Sequence, residues 1–251
     1  MTSASIQNLK DAAERYETAD FIPADPIQFP HRYTDRQDIE VSAFISAWMA
    51  YGSRKVFLKI LDRMHHIMDH AGGPYRYIVS GAYEKDCTSP CECLYRFYKQ
   101  SDYLDLCRKL HQLYLHHDSV ECLFRPSSDL ADNVFALCSH FDGTNGIPVP
   151  GSPSANKRLY MLLRWMVRRN SPVDFGIWSN ITPAQLIIPL DTHVYQTAVS
   201  LGITQRRSAD LKTAVEITRA MSEIWPDDPA RGDFALYGIG INETVTDSLH
   251  K

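Results

Sequence analysis

The chain has 251 residues, of which 44% are hydrophobic and 22% charged, and its formal net charge at pH 7 is −4. This apolar content suffices for one large core or two packed helical subdomains, and it excludes a long disordered chain. The acidic balance excludes a global attraction to nucleic acid or acidic membranes, so a polyanion would have to be bound by a local basic patch.

Apolar residues recur at helical spacing along most of the chain. Residues 5–17 form the first such segment, with Leu9 and Ala13 on one face, and a proline-rich connector follows. Further helices are predicted at residues 39–52, 55–70, 77–83, 91–98, 101–116, 120–124, 130–141, 155–169, 183–187, 192–201, 208–224 and 229–237. No stretch shows the sustained alternation of apolar and polar residues that predicts strands, so the expected fold class is all-α.

The N-terminus and the cysteines indicate a cytoplasmic protein. The first residues lack the basic and apolar regions of a signal peptide, and no apolar run approaches the roughly 20 residues that span a bilayer. Six cysteines in such a chain are expected to be thiols. Three of them, Cys87, Cys91 and Cys93, lie close together, but their spacing is not a common zinc spacing. We therefore predict no metal, no cofactor and no contact with a membrane.

The predicted helix at 155–169 carries the densest basic cluster of the chain. Its apolar face is expected to be buried, and its basic residues are Lys157, Arg158, Arg164, Arg168 and Arg169. Ser154 is predicted to cap this helix. A helix N-terminus presents free N–H groups and the positive end of the helix dipole, which suits a phosphate. The alternative is a solvated basic face without a ligand.

Asp191 follows the apolar run Leu186-Ile187-Ile188 and is predicted to begin the helix at 192–201. An N-cap carboxylate accepts hydrogen bonds from the next turn, which keep it ionised. Such a group could stabilise a cationic transition state or orient a nucleophile. It could equally be an ordinary cap. His193 is not predicted to bind a metal, because no second ligand lies four residues further on.

The segment Leu190-Asp191-Thr192-His193-Val194, with Leu201-Gly202-Ile203 closing the helix, resembles the catalytic aspartate segment of the helix-hairpin-helix DNA glycosylases, the endonuclease III superfamily. In that superfamily a Pro-Gly turn leads into a helix bearing a lysine, ahead of the aspartate. Val149-Pro150-Gly151 and Lys157 match that order here. Asp38 to Gly52 is similar to an early helix that lines the pocket of these enzymes.

From about Phe21 to Ile241 the chain also resembles an uncharacterised bacterial protein family at the edge of that superfamily. The matching segments are 157–159, 163–168, 188–193 and 233–236. The resemblance implies two packed helical subdomains of the glycosylase type in a single glycosylase-like unit, residues 1–251. The first would cover about 35–150, and the second about 151–251 with the N-terminal helix 5–17.

The chain departs from the superfamily pattern in several places. The turn Gly151-Ser152-Pro153-Ser154 has one glycine where the hairpin usually carries Gly-x-Gly. Lys157 and Asp191 are farther apart in sequence than in typical members, and Gln196 stands where a basic residue is usual. No cysteine follows Cys138, so the iron–sulfur cluster of endonuclease III is not implied.

The resemblance implies a DNA glycosylase, or a glycosylase and AP lyase, that excises a damaged base from DNA. Asp191 would stabilise the sugar cation, and Lys157 would attack C1′ to form a Schiff base. The residues implied to hold DNA phosphates are Arg158, Arg164, Arg168 and Ser154. Those implied to line a base pocket, by resemblance or by nearness in sequence, are Trp48, Tyr51, Phe175 and Trp178. Two alternatives stay open: a nucleic-acid-binding protein without catalysis on this fold, and a structural or protein-interaction role with Asp191 as a cap.

Overall fold

The computed structural model describes the backbone of residues 2–249 and the side chains of residues 2–241. This part of the chain is mostly helical, which confirms the all-α class. Its α-helices are α1 (Ser3–Tyr16), α2 (Arg36–Met49), α3 (Arg54–His70), α4 (Pro74–Val79), α5 (Tyr83–Asp86), α6 (Gln100–Tyr114), α7 (Leu130–His140), α8 (Lys157–Val167), α9 (Thr192–Ser200), α10 (Leu211–Ser222) and α11 (Gly232–Leu249). Within the described residues, no helix has the length and hydropathy of a membrane span.

Short elements connect these helices. The 3₁₀ turns span Ala19–Ala24, Pro26–Gln28, Pro30–Arg32, Val120–Leu123, Pro183–Gln185 and Pro229–Arg231. Four of them begin with proline, whose fixed φ suits a first helical position and whose missing N–H is not needed there. Two strands, β1 (Cys93–Tyr95) and β2 (Tyr98–Lys99), pair antiparallel.

The chain divides into two compact units, Met1–Ile22 with Ser152–Lys251, and Pro23–Gly151. The first unit contains α1 and α8–α11. Its core is formed by small and branched residues from these helices and the segments between them: Leu9, Ala12, Ala13, Ala155, Ile188, Leu190, Val194, Ala198, Ala214, Ile217, Met221, Ala235, Leu236 and Ile239.

Glycines let α11 pack closely on its neighbours in this unit. A Cβ atom at Gly238 would lie 2.0 Å from the Tyr16 ring of α1, and one at Gly240 would lie 2.5 Å from Thr197 Oγ1 of α9. Neither distance is compatible with a side chain. The N-terminal helix and the α9 helix, which Asp191 caps, are thus both held against α11.

The second unit is built around α2, which is buried continuously from Ile39 to Met49. Several polar groups inside it are hydrogen-bonded, although among the described side chains the Ser46 and Tyr95 hydroxyls and Gln100 Oε1 are buried without a partner. The Glu40 carboxylate accepts hydrogen bonds from the Tyr114 hydroxyl at 2.5 Å and the Val120 N–H at 2.9 Å. His65 bonds to Ser42 Oγ at 2.7 Å, and burial lowers the pKa of His65 to about 4, so the imidazole is neutral.

The prediction of a helix at residues 91–98 is wrong. The structure has the β1–β2 hairpin there, with Arg96 and Phe97 as a two-residue turn. Tyr95 and Tyr98 face each other across the ladder and are both buried. Aromatic residues pack well on the pleated surface of paired strands. The strands are too short to show the alternation of apolar and polar residues by which strands are predicted.

The start of α8 also differs from the prediction. Ser154 does not cap the helix but forms an isolated β-bridge with Asp210. Asn156 is the N-cap, in the left-handed region at φ 46°, and its side chain makes no capping hydrogen bond. Asparagine tolerates this conformation better than most residues. Lys157 therefore becomes the first residue of the helix.

Candidate functional site

Lys157 and Asp191 meet at the N-termini of two helices. Lys157 is the first residue of α8, and Asp191 is the N-cap of α9. Lys157 Nζ lies 3.0 Å from Asp191 Oδ2, although the residues are distant in sequence. The side chains are 41% and 22% exposed, so a ligand can reach both.

The Asp191 carboxylate is held by its backbone surroundings. Its Oδ1 accepts a hydrogen bond from the Val194 N–H at 2.8 Å, which leaves Oδ2 to the lysine. Leu190 and Val194, on either side of the cap, are buried in the core of this unit. The carboxylate is therefore fixed in place, while Lys157 reaches it by a flexible side chain.

The pKa of Asp191 reflects opposing effects. Burial raises this pKa, but the positive charge of Lys157 and the hydrogen bonds from Val194 N–H and Lys157 lower it by more. The net result is a pKa below the usual range for aspartate. Asp191 is thus a carboxylate at neutral pH, suited to stabilising positive charge and unsuited to donating a proton.

Asp233 adds a second carboxylate to the neighbourhood. It lies in the first turn of α11, its side chain is 15% exposed, and it accepts a hydrogen bond from Arg164. Burial raises the pKa of Asp233 to about 6, with a further rise from the Asp191 charge and opposing effects from Arg164 and Lys157. The sequence analysis named Asp233 only within segment 233–236, which matches the uncharacterised family, and did not predict it as a site residue. Its position directly after Gly232 at a helix start was the available signal.

The structure corrects the expectation that Arg164 and Arg168 form an exposed phosphate-binding face. Their side chains are 3% and 1% exposed. Arg164 pairs with Asp174 at 3.3 Å and with Asp233. These guanidinium groups are occupied by carboxylates of the same unit, so they serve the fold and are not presented to a ligand.

Arg168 is the centre of a buried ion-pair network. It contacts Asp174 at 2.5 Å, Glu17 at 2.7 Å and Asp228 at 2.8 Å. Burial alone would lower the pKa of Arg168. Its hydrogen bond to Asp228 and the charges of the surrounding carboxylates raise this pKa by more, so the net pKa lies above the ordinary value for arginine. Glu17 also pairs with Arg231 at 2.9 Å. The network joins the end of α1 to the segments that follow α8 and α10.

The other predicted phosphate contacts lie nearer the surface. Arg158 is half-buried in the first turn of α8, one residue after Lys157. Ser154 is exposed in the extended segment that precedes the helix. Their predicted contact with phosphate stays a prediction.

The predicted base-pocket aromatics are distributed over both units. Trp48 and Tyr51 belong to the second unit, and Phe175 and Trp178 to the first. Trp48 and Trp178 are 2% and 0% exposed, which corrects the expectation that they line an open pocket. The Trp48 indole N–H donates to the Asn145 carbonyl at 2.7 Å. Phe175 is half-buried, and Tyr51 is exposed.

Among the residues whose side chains are described, no three histidine, cysteine, aspartate or glutamate side chains are grouped to hold a metal ion. The six cysteines are free thiols. Cys87 is buried, whereas Cys91 and Cys93 of the same cluster are exposed.

Comparison with protein families matches residues 25–242 to the family described as "Protein of unknown function (DUF2400)". This match covers most of the sequence, and the chain belongs to that family. It confirms the predicted resemblance to an uncharacterised family and assigns no activity. Searches of the curated proteins and of the solved structures gave no match.

Proposed function

We propose that this protein is a DNA glycosylase, or a glycosylase and AP lyase, and that the pair Lys157–Asp191 is its active centre. The observation that carries the proposal is the 3.0 Å approach of the Lys157 amine to the Asp191 carboxylate. The glycosylase resemblance assigns chemistry to these two residues and to no other lysine–aspartate pair of the chain. Both side chains are partly exposed, as contact with a substrate requires.

Asp191 supplies electrostatic stabilisation in this mechanism. As the bond between C1′ and the base breaks, its electron pair leaves with the base and positive charge develops on the sugar. A fixed carboxylate that remains ionised is matched to that charge. The base must first be rotated out of the duplex, which costs a few kcal/mol and costs least at damaged or mismatched sites.

Lys157 is the proposed nucleophile. Its neutral amine attacks C1′, and a new N–C1′ bond replaces the bond to the departing base. The C1′–O4′ bond then breaks as a proton moves through solvent from the nitrogen to O4′, which opens the sugar ring and gives a protonated Schiff base. The ammonium must lose its proton first. Asp191 is a weak base because its pKa is low, so the lysine proton passes to solvent before the attack, and the departing base takes a proton from solvent as it leaves.

Borohydride trapping tests the nucleophile. The protein is incubated with a panel of lesion-containing duplexes under borohydride, which reduces a Schiff base to a stable amine. We expect a covalent protein–DNA adduct that Lys157→Ala abolishes. Lys157→Arg should abolish it as well, because it keeps a cation beside Asp191 but has no nucleophilic amine.

The two variants separate chemistry from structure. Loss of the adduct in Lys157→Arg with unchanged circular dichroism identifies the amine itself as the reacting group. Adduct formation that persists in both variants would contradict the assignment of Lys157.

One observation favours a purely structural reading of the pair. Asp210 is the N-cap of α10, accepts a hydrogen bond from the Thr213 N–H at 2.9 Å, and pairs with Arg206 at 2.8 Å. This is the same arrangement as Asp191 with Val194 and Lys157, built on an arginine that cannot act as a nucleophile. The Asp210 cap is therefore the matched control for Asp191.

A non-catalytic nucleic-acid-binding role is the remaining alternative. It predicts affinity for DNA or RNA that falls steeply with salt and does not change in Asp191→Asn. A protein with a structural role alone would show no affinity even at low salt.

A further inference from the structure

An exposed aromatic cluster lies in the second unit, at the turn of the β1–β2 hairpin. We call it the hairpin platform, and it consists of Tyr51, Arg96 and Phe97. Phe97 is 46% exposed and Tyr51 is 42% exposed. Their rings meet edge to face with centroids 5.0 Å apart, and the Arg96 guanidinium lies 5.3 Å from the Tyr51 ring centroid. Two large aromatic rings and a cation thus share one solvent-facing surface.

Buried residues support the platform from below. The Tyr98 ring lies 4.5 Å from that of Phe97 and 4.3 Å from that of Trp48, between centroids. The Tyr98 hydroxyl donates to the Trp48 carbonyl at 3.1 Å. Both Tyr98 and Trp48 are buried, so Phe97 stands on a fixed base. A rigid aromatic side chain binds a planar partner with little loss of conformational entropy.

Gly52 allows the hairpin to lie on the loop that follows α2. It has φ +78°, and a Cβ atom there would be 2.8 Å from Arg96 Nη1 and 2.9 Å from the Tyr95 hydroxyl. The close approach brings Tyr51 and the hairpin turn together. Arg96 itself has φ 53°, an uncommon conformation for a residue with a side chain.

Basic residues outnumber acidic residues around the platform, in contrast with the chain as a whole. Segments 51–56 and 92–102 contain four basic residues and two acidic ones, Glu92 and Asp102, and Asp102 Oδ2 accepts a hydrogen bond from the Lys99 N–H at 2.7 Å. All four are exposed: Arg54, Lys55, Arg96 and Lys99. The net charge of the full chain is −4, so this local excess is a distinct feature. Exposed aromatic rings among cations match a partner with planar bases and anionic phosphates.

We propose that the hairpin platform binds an unstacked base of single-stranded or locally unpaired nucleic acid. The base stacks on Phe97 beside Tyr51, and the basic residues contact the flanking phosphates. The proposal shares with the proposed function the premise of a nucleic-acid partner. It does not depend on any chemistry at Lys157 or Asp191.

The test uses the full chain and a fluorescein-labelled single-stranded oligodeoxynucleotide with one 2-aminopurine. Anisotropy measures affinity, and the 2-aminopurine signal reports stacking of the base on a protein ring. Stacking on one aromatic residue is worth enough that Phe97→Ala should weaken binding by about tenfold. Phe97→Trp should retain the affinity and quench 2-aminopurine fluorescence, because its ring offers a larger stacking surface.

Phe135→Ala is the matched control, since Phe135 is 54% exposed on α7, away from the hairpin in sequence. It should bind like the unmodified protein.

Equal affinities of Phe97→Ala and Phe135→Ala would overturn the proposal, and so would binding without any change of the 2-aminopurine signal. A Phe97→Leu variant that binds the oligodeoxynucleotide as well as Phe97→Trp would show that the contact needs no aromatic ring and would also overturn it. Lys157→Ala should bind normally, so this result and the trapping result are independent.

Discussion

Asp191 and Asp233 are two neighbouring aspartates whose surroundings shift their pKa values in opposite directions. The Lys157 charge and the Val194 N–H outweigh burial at Asp191, whereas burial dominates at Asp233. Such a divergence divides roles between a group that stays ionised and one that can exchange a proton near neutral pH. At the residue scale the site has the fixed Asp191 carboxylate, the partly exposed Lys157 amine, and Asp233, a titratable group whose pKa both of them influence.

The Asp233 shift predicts a pH dependence of stability. Its pKa is raised from the ordinary range for aspartate to about 6 in the folded protein, so the folded state binds the proton more tightly than the unfolded state. Asp233 should therefore favour folding increasingly as pH falls from 7 toward 4. Asp233→Asn removes this component, so urea unfolding should show the free-energy advantage of the unmodified protein over the variant growing between pH 7 and pH 5.

Asp210→Asn is the control for that measurement. The hydrogen bond from Thr213 N–H and the other contacts of Asp210 lower its pKa to about 2, so its contribution is present above the ordinary pKa and is lost only in strong acid. The advantage over Asp210→Asn should be constant from pH 7 to pH 5. Identical pH profiles for the two variants would contradict the Asp233 assignment.

At the scale of the element, α8 connects the candidate site to a buried network. Lys157 at its start is partly exposed, and Arg168 just after its end is surrounded by Glu17, Asp174 and Asp228. Removing the Arg168 guanidinium takes an ion-pair partner from each of these three carboxylates in a low-dielectric environment. Such a loss costs far more than an exposed pair is worth.

Arg168→Met should destabilise the protein by about 3–5 kcal/mol in urea unfolding. Arg158→Met is the control on the same helix, and because Arg158 is only half-buried we expect a change of about 1 kcal/mol or less. Equal stabilities of Arg168→Met and Arg158→Met would contradict this account of the network.

Local features of the sequence were sufficient to predict some of the helices and helix caps. The helices with long apolar stripes, such as α3 and α6, and the Asp191 cap depend on residues within one or two turns. The burial of Arg168 could not be predicted, because two of its partners, Glu17 and Asp228, are distant in sequence, just after α1 and after α10, and the third, Asp174, lies in an irregular segment. The hairpin was missed because Tyr95 and Tyr98 become a buried pair only when the chain reverses at Arg96.

At the scale of the whole molecule, the chain begins and ends its described part in the same unit, with residues 23–151 forming the other. The candidate site lies in the first unit and the hairpin platform in the second. Lys157 and Asp191 meet inside the first unit through its tertiary packing, which neither residue type nor spacing alone requires. Variants at the two places should therefore separate catalysis from binding.

Release of a damaged base tests the central claim most directly. Lesion-containing duplexes are incubated with the unmodified protein, Asp191→Asn and Asp210→Asn, and free base is quantified by chromatography. We predict release by the unmodified protein and by Asp210→Asn, and a loss of at least about a hundredfold in Asp191→Asn, the scale of removing one electrostatic group from an active site. No release from any duplex, or equal release by the two variants, would contradict the account.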